Sequence, residues 1–364
     1  MLQLAVGLAK PEAISLSLPT QPMLFCVDPL QDPRWPRFVD GHPKASVFHT
    51  PEWLRTLVST YGYRTLVFTS NGPGLPLTNG VVCCQVNSWL TGQRLVSLPF
   101  SDHCDPLANS ADELEGLLSS FTRVLEKRHW KYIELRPHST LASHRVGFKP
   151  SQTFYFHSID LRPSIGDLFH NFHRSCIQRK IHRANREGLT YEEGRSETLL
   201  NGFYHLLLLT RRRHELPPQP LAWFRNLVDC MGEKSKMRVC YKNGQPIAAI
   251  ITLMHKSSMV YKYGCSDARF HNLGAMPYLF WKAIRDAKQG GVLQFDLGRC
   301  DCENDGLRAF KEHLGAKRSL MTYFAVASGR NTMGWKLQLS KSLFRWMPST
   351  LLRFTGEVLY RHIG

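Results

Sequence analysis

The sequence predicts an α/β (α+β) chain in two halves of one plan, each a mainly antiparallel sheet flanked by helices. Three observations carry this. The 364 residues suffice for two domains of ordinary size, each with its own core. A hydrophobic content of 43% against 21% charged residues is that of a globular chain. The hydrophobic period also passes from helical to alternating and back in the same order twice.

The elements follow in order. Residues 1–45 are Pro-rich and read as irregular. Order is expected from "SVFHTPEWLRTLVSTYGY", where His49 and Thr50 precede Pro51 at a helix start and Gly62 follows its end. "RTLVFTS", "NGVVCCQV" and "RLVSLPF" read as strands separated by Gly, Pro and Asn. "SADELEGLLSSFTRVLEKRHW" returns to helical spacing, with acids in its first turn and bases in its last, as the helix dipole favours. "KYIELRPH" closes a first unit over 46–157 as a strand.

The second unit, 158–328, opens with "SIGDLFHNFHRSCIQRKIHRANREG", read as one basic amphipathic helix closed by Gly188. A second helix, "SETLLNGFYHLLLLTRRRHEL", ends at Pro217-Pro218. "MRVCYKNGQPIAAIITLMH" is a hairpin with an Asn-Gly turn, and "SSMVYKYGCSD" the next strand. A helix stopped by double Gly, the buried strand "VLQFDLG", the short helix "DGLRAFKEHLG" and a last strand "SLMTYFAVAS" complete it. Residues 329–364 form a basic amphipathic tail in which Trp335, Leu339, Leu343 and Trp346 keep helical spacing. The plan is duplicated without any residue-level repeat.

The formal charge of +17, from 46 Lys and Arg against 29 Asp and Glu, favours an anionic partner such as a nucleotide, tRNA, lipid carrier or membrane surface. It does not choose among them. Ten cysteines, most of them scattered singly through apolar runs, read as reduced thiols of a cytosolic protein. The first residues lack a basic n-region, so no signal peptide is expected, and no run reaches the length of a membrane span.

Several stretches could carry chemistry. In "FDLGRCDCENDGLRAFKEHLGAKR", Cys300, Cys302 and His313 suggest a metal loop, but two thiols and one histidine fall short of a zinc set, and no metal is expected. The other reading ends a core strand at Asp296, turns at Gly298 and brings Lys311 to a developing oxyanion or a phosphate, with Phe310 anchoring the helix. The bland reading makes Lys311 a surface residue and Asp296 a cap. Arg179, Arg183 and Arg186 fall within about 60° of one another on their helix and read equally as a phosphate-binding stripe or a solvated face. Arg211, Arg212 and Arg213 suit a helix C-terminus, and before a rigid Pro-Pro turn they could also form a substrate wall.

Tyr263 and Gly264 end a strand that leads through Arg269 to Gly274 and Pro277 at a helix start, a place for an anion or for simple capping. "LPFSDHCDPL" offers Ser101, Asp102, His103 and Asp105; neighbours in one loop rarely make a triad, and no G-x-S-x-G elbow is present, so the loop reads as the polar wall of a cleft. The tail reads equally as a membrane-interface helix and as a segment packed on the body.

Taken together, "LPFSDHCDPL", "SCIQRKIHRANREGL", "RRRHELPPQPLAWF" and "GAMPYLFWKAIRDAKQGGVLQFDLGRCDCENDGLRAFKEHLGAK" resemble, in this order, the FemAB-like and BioF2-like branch of the GNAT acyltransferases, over about residues 45–328. The resemblance implies tandem GNAT-like domains, each a mixed, mainly antiparallel sheet flanked by helices, with a cleft between or along them. It implies transfer of an acyl or aminoacyl group to an amine acceptor in cell-envelope or exopolysaccharide assembly. The co-substrate would be acyl-CoA or aminoacyl-tRNA, with no permanently bound cofactor. By position, Lys311 matches the lysine of the family's last motif and Asp296 its strand-end acid, while Asp102 is a candidate proton relay. Arg179, Arg183, Arg212, Tyr263, Arg269, Gly274 and Phe310 are the expected substrate contacts.

"ARFHNLGAMPY" keeps only a reduced form of the pyrophosphate loop of CoA-binding relatives. Partners would be an amine-bearing envelope or polysaccharide precursor, tRNA, and a membrane surface met by residues 333–364, at a cytoplasmic or peripheral inner-face location. The alternative function is a non-catalytic protein on the same fold that binds an anionic ligand or lipid carrier. Non-specific RNA binding is a third reading.

Overall fold

The computed structural model describes residues 23–128, 130–139, 147–327 and 348–363. The first half runs β1 (Phe25–Val27), α1 (Arg34–Gly41), α2 (Pro51–Tyr61), β2 (Arg64–Thr69), β3 (Asn79–Ser88), β4 (Gly92–Val96), β5 (Leu107–Ala108), α3 (Ala111–Arg128) and β6 (Tyr132–Leu135). The second runs β7 (Lys149–Asp160), α4 (Ile165–His170), α5 (Arg179–Arg186), β8 (Thr190–Gly194), α6 (Glu197–Arg213), α7 (Leu221–Met231), β9 (Ser235–Lys242), β10 (Gln245–His255) and β11 (Ser258–Ser266). It continues through α8 (Ala275–Gln289), β12 (Gln294–Asp301), α9 (Asp305–His313) and β13 (Lys317–Ala327), and α10 (Ser349–Ile363) follows.

Local chemistry accounts for the boundaries. Pro51 starts α2 and Gly62 stops it at φ 68°, a left-handed cap that glycine adopts without strain. Asn243 and Gly244 both have positive φ, the backbone that a two-residue hairpin turn requires.

The basic segment after Asp160 is not one straight helix. Its buried positions Leu168, Phe172, Ile177, Ile181 and Ala184 include a five-residue step, which a 3.6-residue period cannot keep on one face. A π-type turn at Arg174–Gln178 absorbs that step and separates α4 from α5. Structure also begins earlier than expected: α1 lies within the Pro-rich stretch and buries Trp35 and Val39 completely.

The strands form one continuous sheet in the order β1-β2-β3-β4-β6-β13-β7-β12-β11-β10-β9-β8, with β5 on β3. Each half contributes an antiparallel meander ending in a short parallel pair, β4 with β6 and β11 with β12. The last strand, β13, lies between β6 and β7 and joins the halves, and β7 runs through position 157/158. One core cluster spans both halves, and in it Trp53 of α2 meets Trp223 of α7 edge-on at 5.6 Å. Residues 1–22, on which the leader expectation rests, and 328–347, which hold Trp335 to Trp346, lie outside the described residues.

Candidate active site

The parallel pairing of β11 and β12 covers only Ser258–Val260 against Gln294–Asp296. Beyond it both strands bulge. In β11, Lys262 is an extra residue between Tyr261 and Tyr263, which face Thr252 and Ile251 of β10. In β12, Leu297 and Gly298 stand between Asp296 and Arg299 against a single residue of β7. Bulges bend strands and re-aim side chains. Here they coincide with the level at which the two strands part.

A cleft of about 520 Å³ opens at that point, lined by Tyr261–Gly264 of β11 and Leu297–Arg299 of β12. The first half closes it with Phe100, Ser101, Asp102 and Arg136, the end of α6 adds Thr210 and Arg211, and α9 adds Lys311. Arg136, Arg211, Lys262, Arg299 and Lys311 set five cations against the carboxylate of Asp102. Low-dielectric walls lined by one sign of charge draw in an anionic ligand.

Asp102 organises the cations. Lys262 Nζ stands 3.0 Å from Asp102 Oδ2 and lies over the rings of Phe48 and Tyr263, each 5.4 Å away. Arg299 approaches Asp102 Oδ1 at 3.8 Å and stacks on Phe154 and Tyr323. Burial alone would push the Asp102 carboxyl up; Lys262 and Arg299 outweigh it and hold the group below the usual carboxylate value. Gly298 is at φ 71°, and a Cβ there would stand 3.2 Å from Asp102 Oδ2, so both backbone and space call for glycine.

Lys311 is 3% exposed, and its Nζ donates to the carbonyls of Gly298 and Arg299 at 2.9 and 3.0 Å. The ammonium therefore pins the β12 bulge while still lining the cleft. Burial pulls its pKa below that of an ordinary lysine, with Asp102, Cys300 and Asp296 acting the other way. Asp296 is buried behind the bulge, where it accepts from Gly298 N at 2.6 Å and meets His103 Nε2 at 2.8 Å. Burial works against a charged His103, but the Asp296 carboxylate prevails and the pKa is raised. Ser101 donates to the Leu98 carbonyl, so the loop holds no nucleophilic triad.

The remaining expected residues are dispersed. Tyr263 lines the cleft and accepts from Trp223 Nε1 at 2.8 Å. Arg211 lines it one position before the expected Arg212, which is exposed. Phe310 packs edge-on against Phe280 in the core of the second half. Arg179 is exposed, Arg183 pairs with Glu187 at 3.6 Å, and Arg269 pairs with Asp267 at 2.6 Å. At Gly274 a Cβ would meet the Lys180 carbonyl oxygen at 2.3 Å, so this glycine lets α5 pack against the start of α8.

Sequence reasoning missed Lys262, Arg299, Arg136 and the His103–Asp296 pair. The available signal was a lysine between two tyrosines inside an otherwise apolar strand.

An acetyltransferase (GNAT) domain family model matches residues 171–312. No curated protein matches the chain in sequence. Among solved structures, FemX is similar over 81% of this chain and 95% of its own, with 14% identity and a TM-score of 0.64. A tandem GNAT protein from the clavulanic acid biosynthesis pathway aligns over 85% and 99% at 8% identity and TM-score 0.52. L-PGS from Bacillus licheniformis aligns over 78% and 86% at 16% identity and TM-score 0.51. The β11–α8–β12–α9 succession and the strand splay lie in the segment that matches the GNAT acetyltransferase model, the first half supplies the rest of the cleft wall from outside it, and the chain as a whole has the fold of FemX and of the tandem GNAT protein.

Proposed function

We propose that the chain transfers an acyl or aminoacyl group to an amine of a cell-envelope or exopolysaccharide precursor, in the cleft between β11 and β12. The strand splay carries this reading: two neighbouring strands part at paired bulges, leaving facing backbone edges without ladder partners on the floor of a cationic cleft. An extended donor arm can take up those edges, and the cations suit the phosphates of acyl-CoA or aminoacyl-tRNA. The packing of α5 on Gly274 supports aminoacyl-tRNA, because the approach that a pyrophosphate would use at the start of α8 is taken by the Lys180 carbonyl.

The acceptor arrives as an ammonium near a carboxylate, gives one proton to solvent and attacks the donor carbonyl as the free amine; the N–C bond forms while the bond to the CoA sulfur or the tRNA ribose oxygen breaks, and that leaving group takes the amine's second proton. Asp102, the carboxylate of the cleft, docks the ammonium form; Lys311 uses two of its three donors on the bulge and keeps one for the developing oxyanion. Asp296, bound by His103 and Gly298 N, supports the bulge from behind.

Membrane-peripheral placement belongs to the same reading. No helix among the described residues is long and apolar enough to cross a membrane. The outer face of α10 exposes Leu351, Phe354 and Val358 at 49, 62 and 39%. The test supplies acyl-CoA esters and charged tRNA separately with envelope-precursor fractions and seeks the matching mass gain on an acceptor. Turnover should fall in Asp102→Asn; consumption of neither donor would leave the non-catalytic binding protein as the better account.

A further inference from the structure

His313 does not meet the cysteines beside which it stands in the sequence. Cys300 Sγ lies 3.9 Å from His157 Nδ1, and Cys302 Sγ donates to the Thr153 carbonyl. The C-terminal end of α9 instead brings His313 to the turn between α4 and α5, where one ligand atom each of His173, Cys176 and His313 lie within 4.8 Å of one another.

The backbone builds this cluster. His173 N donates to the His313 carbonyl at 2.8 Å, and the two rings are 4.3 Å apart. The π-type turn starting at Arg174 sets Cys176 three residues after His173 on the same side, with Cys176 N donating to His173 Nδ1 at 3.2 Å. His173 is exposed, while Cys176 and His313 are half-buried, so the cluster opens to solvent.

We propose that His173, Cys176 and His313 bind one zinc ion, with water as the fourth ligand. Two imidazoles and a thiolate are a donor set that zinc prefers over the hard divalent cations, and a three-residue site with an open position is an ordinary zinc arrangement. Bonds of about 2.0–2.3 Å set tetrahedral ligand atoms about 3.5 Å apart, so the three side chains need to close by about 1 Å. The thiol loses its proton to solvent on binding. Bound through Nε2, His173 carries its proton on Nδ1, exchanging the bond from Cys176 N for donation to Ser175 Oγ, now 3.3 Å away.

The ion would tie the outer side of α9 to the α4–α5 turn. Lys311 lies two residues before His313, about 200° around the helix, where it holds the β12 bulge. Zinc would thus brace from outside the helix that carries the bulge lysine inside.

The metal-free full chain is titrated with zinc by calorimetry and with cobalt by absorbance, and thermal midpoints are compared with and without zinc. One equivalent should bind, cobalt should show a thiolate charge-transfer band, and zinc should raise the midpoint. Cys176→Ser should abolish the band, and His313→Ala should weaken zinc at least about tenfold. Cys302→Ser should change none of these, and circular dichroism verifies each variant's fold. Absence of the band, a titration unaffected by Cys176→Ser, or a band lost in Cys302→Ser would each overturn the assignment. None of these readouts depends on acyl transfer.

Discussion

Replacing Lys311 by Met removes the ammonium and keeps most of the aliphatic volume. The carbonyls of Gly298 and Arg299 would lose donors now 2.9 and 3.0 Å away, in a place where the side chain is 3% exposed. Each stranded carbonyl costs about 1–3 kcal/mol, and release of a buried charge returns part of the sum. A net loss of about 2–4 kcal/mol is expected. For a chain of 364 residues that lowers the thermal midpoint by about 3–5 °C. Scanning fluorimetry and turnover are read on the same preparation, so that lost activity can be compared with lost stability. A Met variant as stable as the wild type would refute the argument that Lys311 pins the bulge. A variant destabilised as expected but with undiminished turnover per folded molecule would remove Lys311 from the proposed chemistry and leave it a bracing role.

Further expectations follow from other contacts. His103 has a folded pKa above its ordinary 6.5, so its stabilisation is complete below that value and is lost as pH rises through the raised one; the urea-midpoint gap between wild type and His103→Gln should shrink from about pH 6 toward alkaline pH, and a constant gap would count against the His103–Asp296 pair. Gly274→Ala should cost about 3 kcal/mol in urea unfolding, since φ is 80° and the new Cβ would meet a backbone carbonyl at 2.3 Å; a neutral substitution would refute that packing. Phe354→Glu should reduce sedimentation with anionic vesicles without shifting the thermal midpoint, because Phe354 is 62% exposed; unchanged partitioning would remove α10 from the membrane reading.

The elements most legible in the sequence are those whose ends are fixed by local backbone chemistry, such as α2 between Pro51 and Gly62 or the hairpin at Asn243-Gly244. β7 was hidden because its start, Lys149–Thr153, is mostly exposed and polar; β13 holds it there through backbone pairing, which needs no apolar pattern. α7 was masked by the prolines before it, although Pro220 serves as its N-cap. The break between α4 and α5 depends on which of several apolar residues reach the core, and composition does not record that.

The site was legible to a similar degree. The loop at Asp102 and the strand end at Asp296 stood out as polar groups leaving apolar runs. That Arg211 rather than Arg212 faces the cleft depends on the helix's rotation about its axis. Lys262 reaches Asp102 from a bulge, and bulges arise from pairing with strands distant in sequence.

The position of β13 has a consequence for how the protein is made. β6 is complete once residue 135 has left the ribosome, yet one of its edges stays open until residues 324–327 arrive to pair with it. During that interval the nascent first half presents an unpaired strand edge, the feature by which sheets recruit unrelated chains. A fragment ending at residue 157 would keep that edge permanently. The native sheet around β6 is thus complete only when the end of the second half has been made.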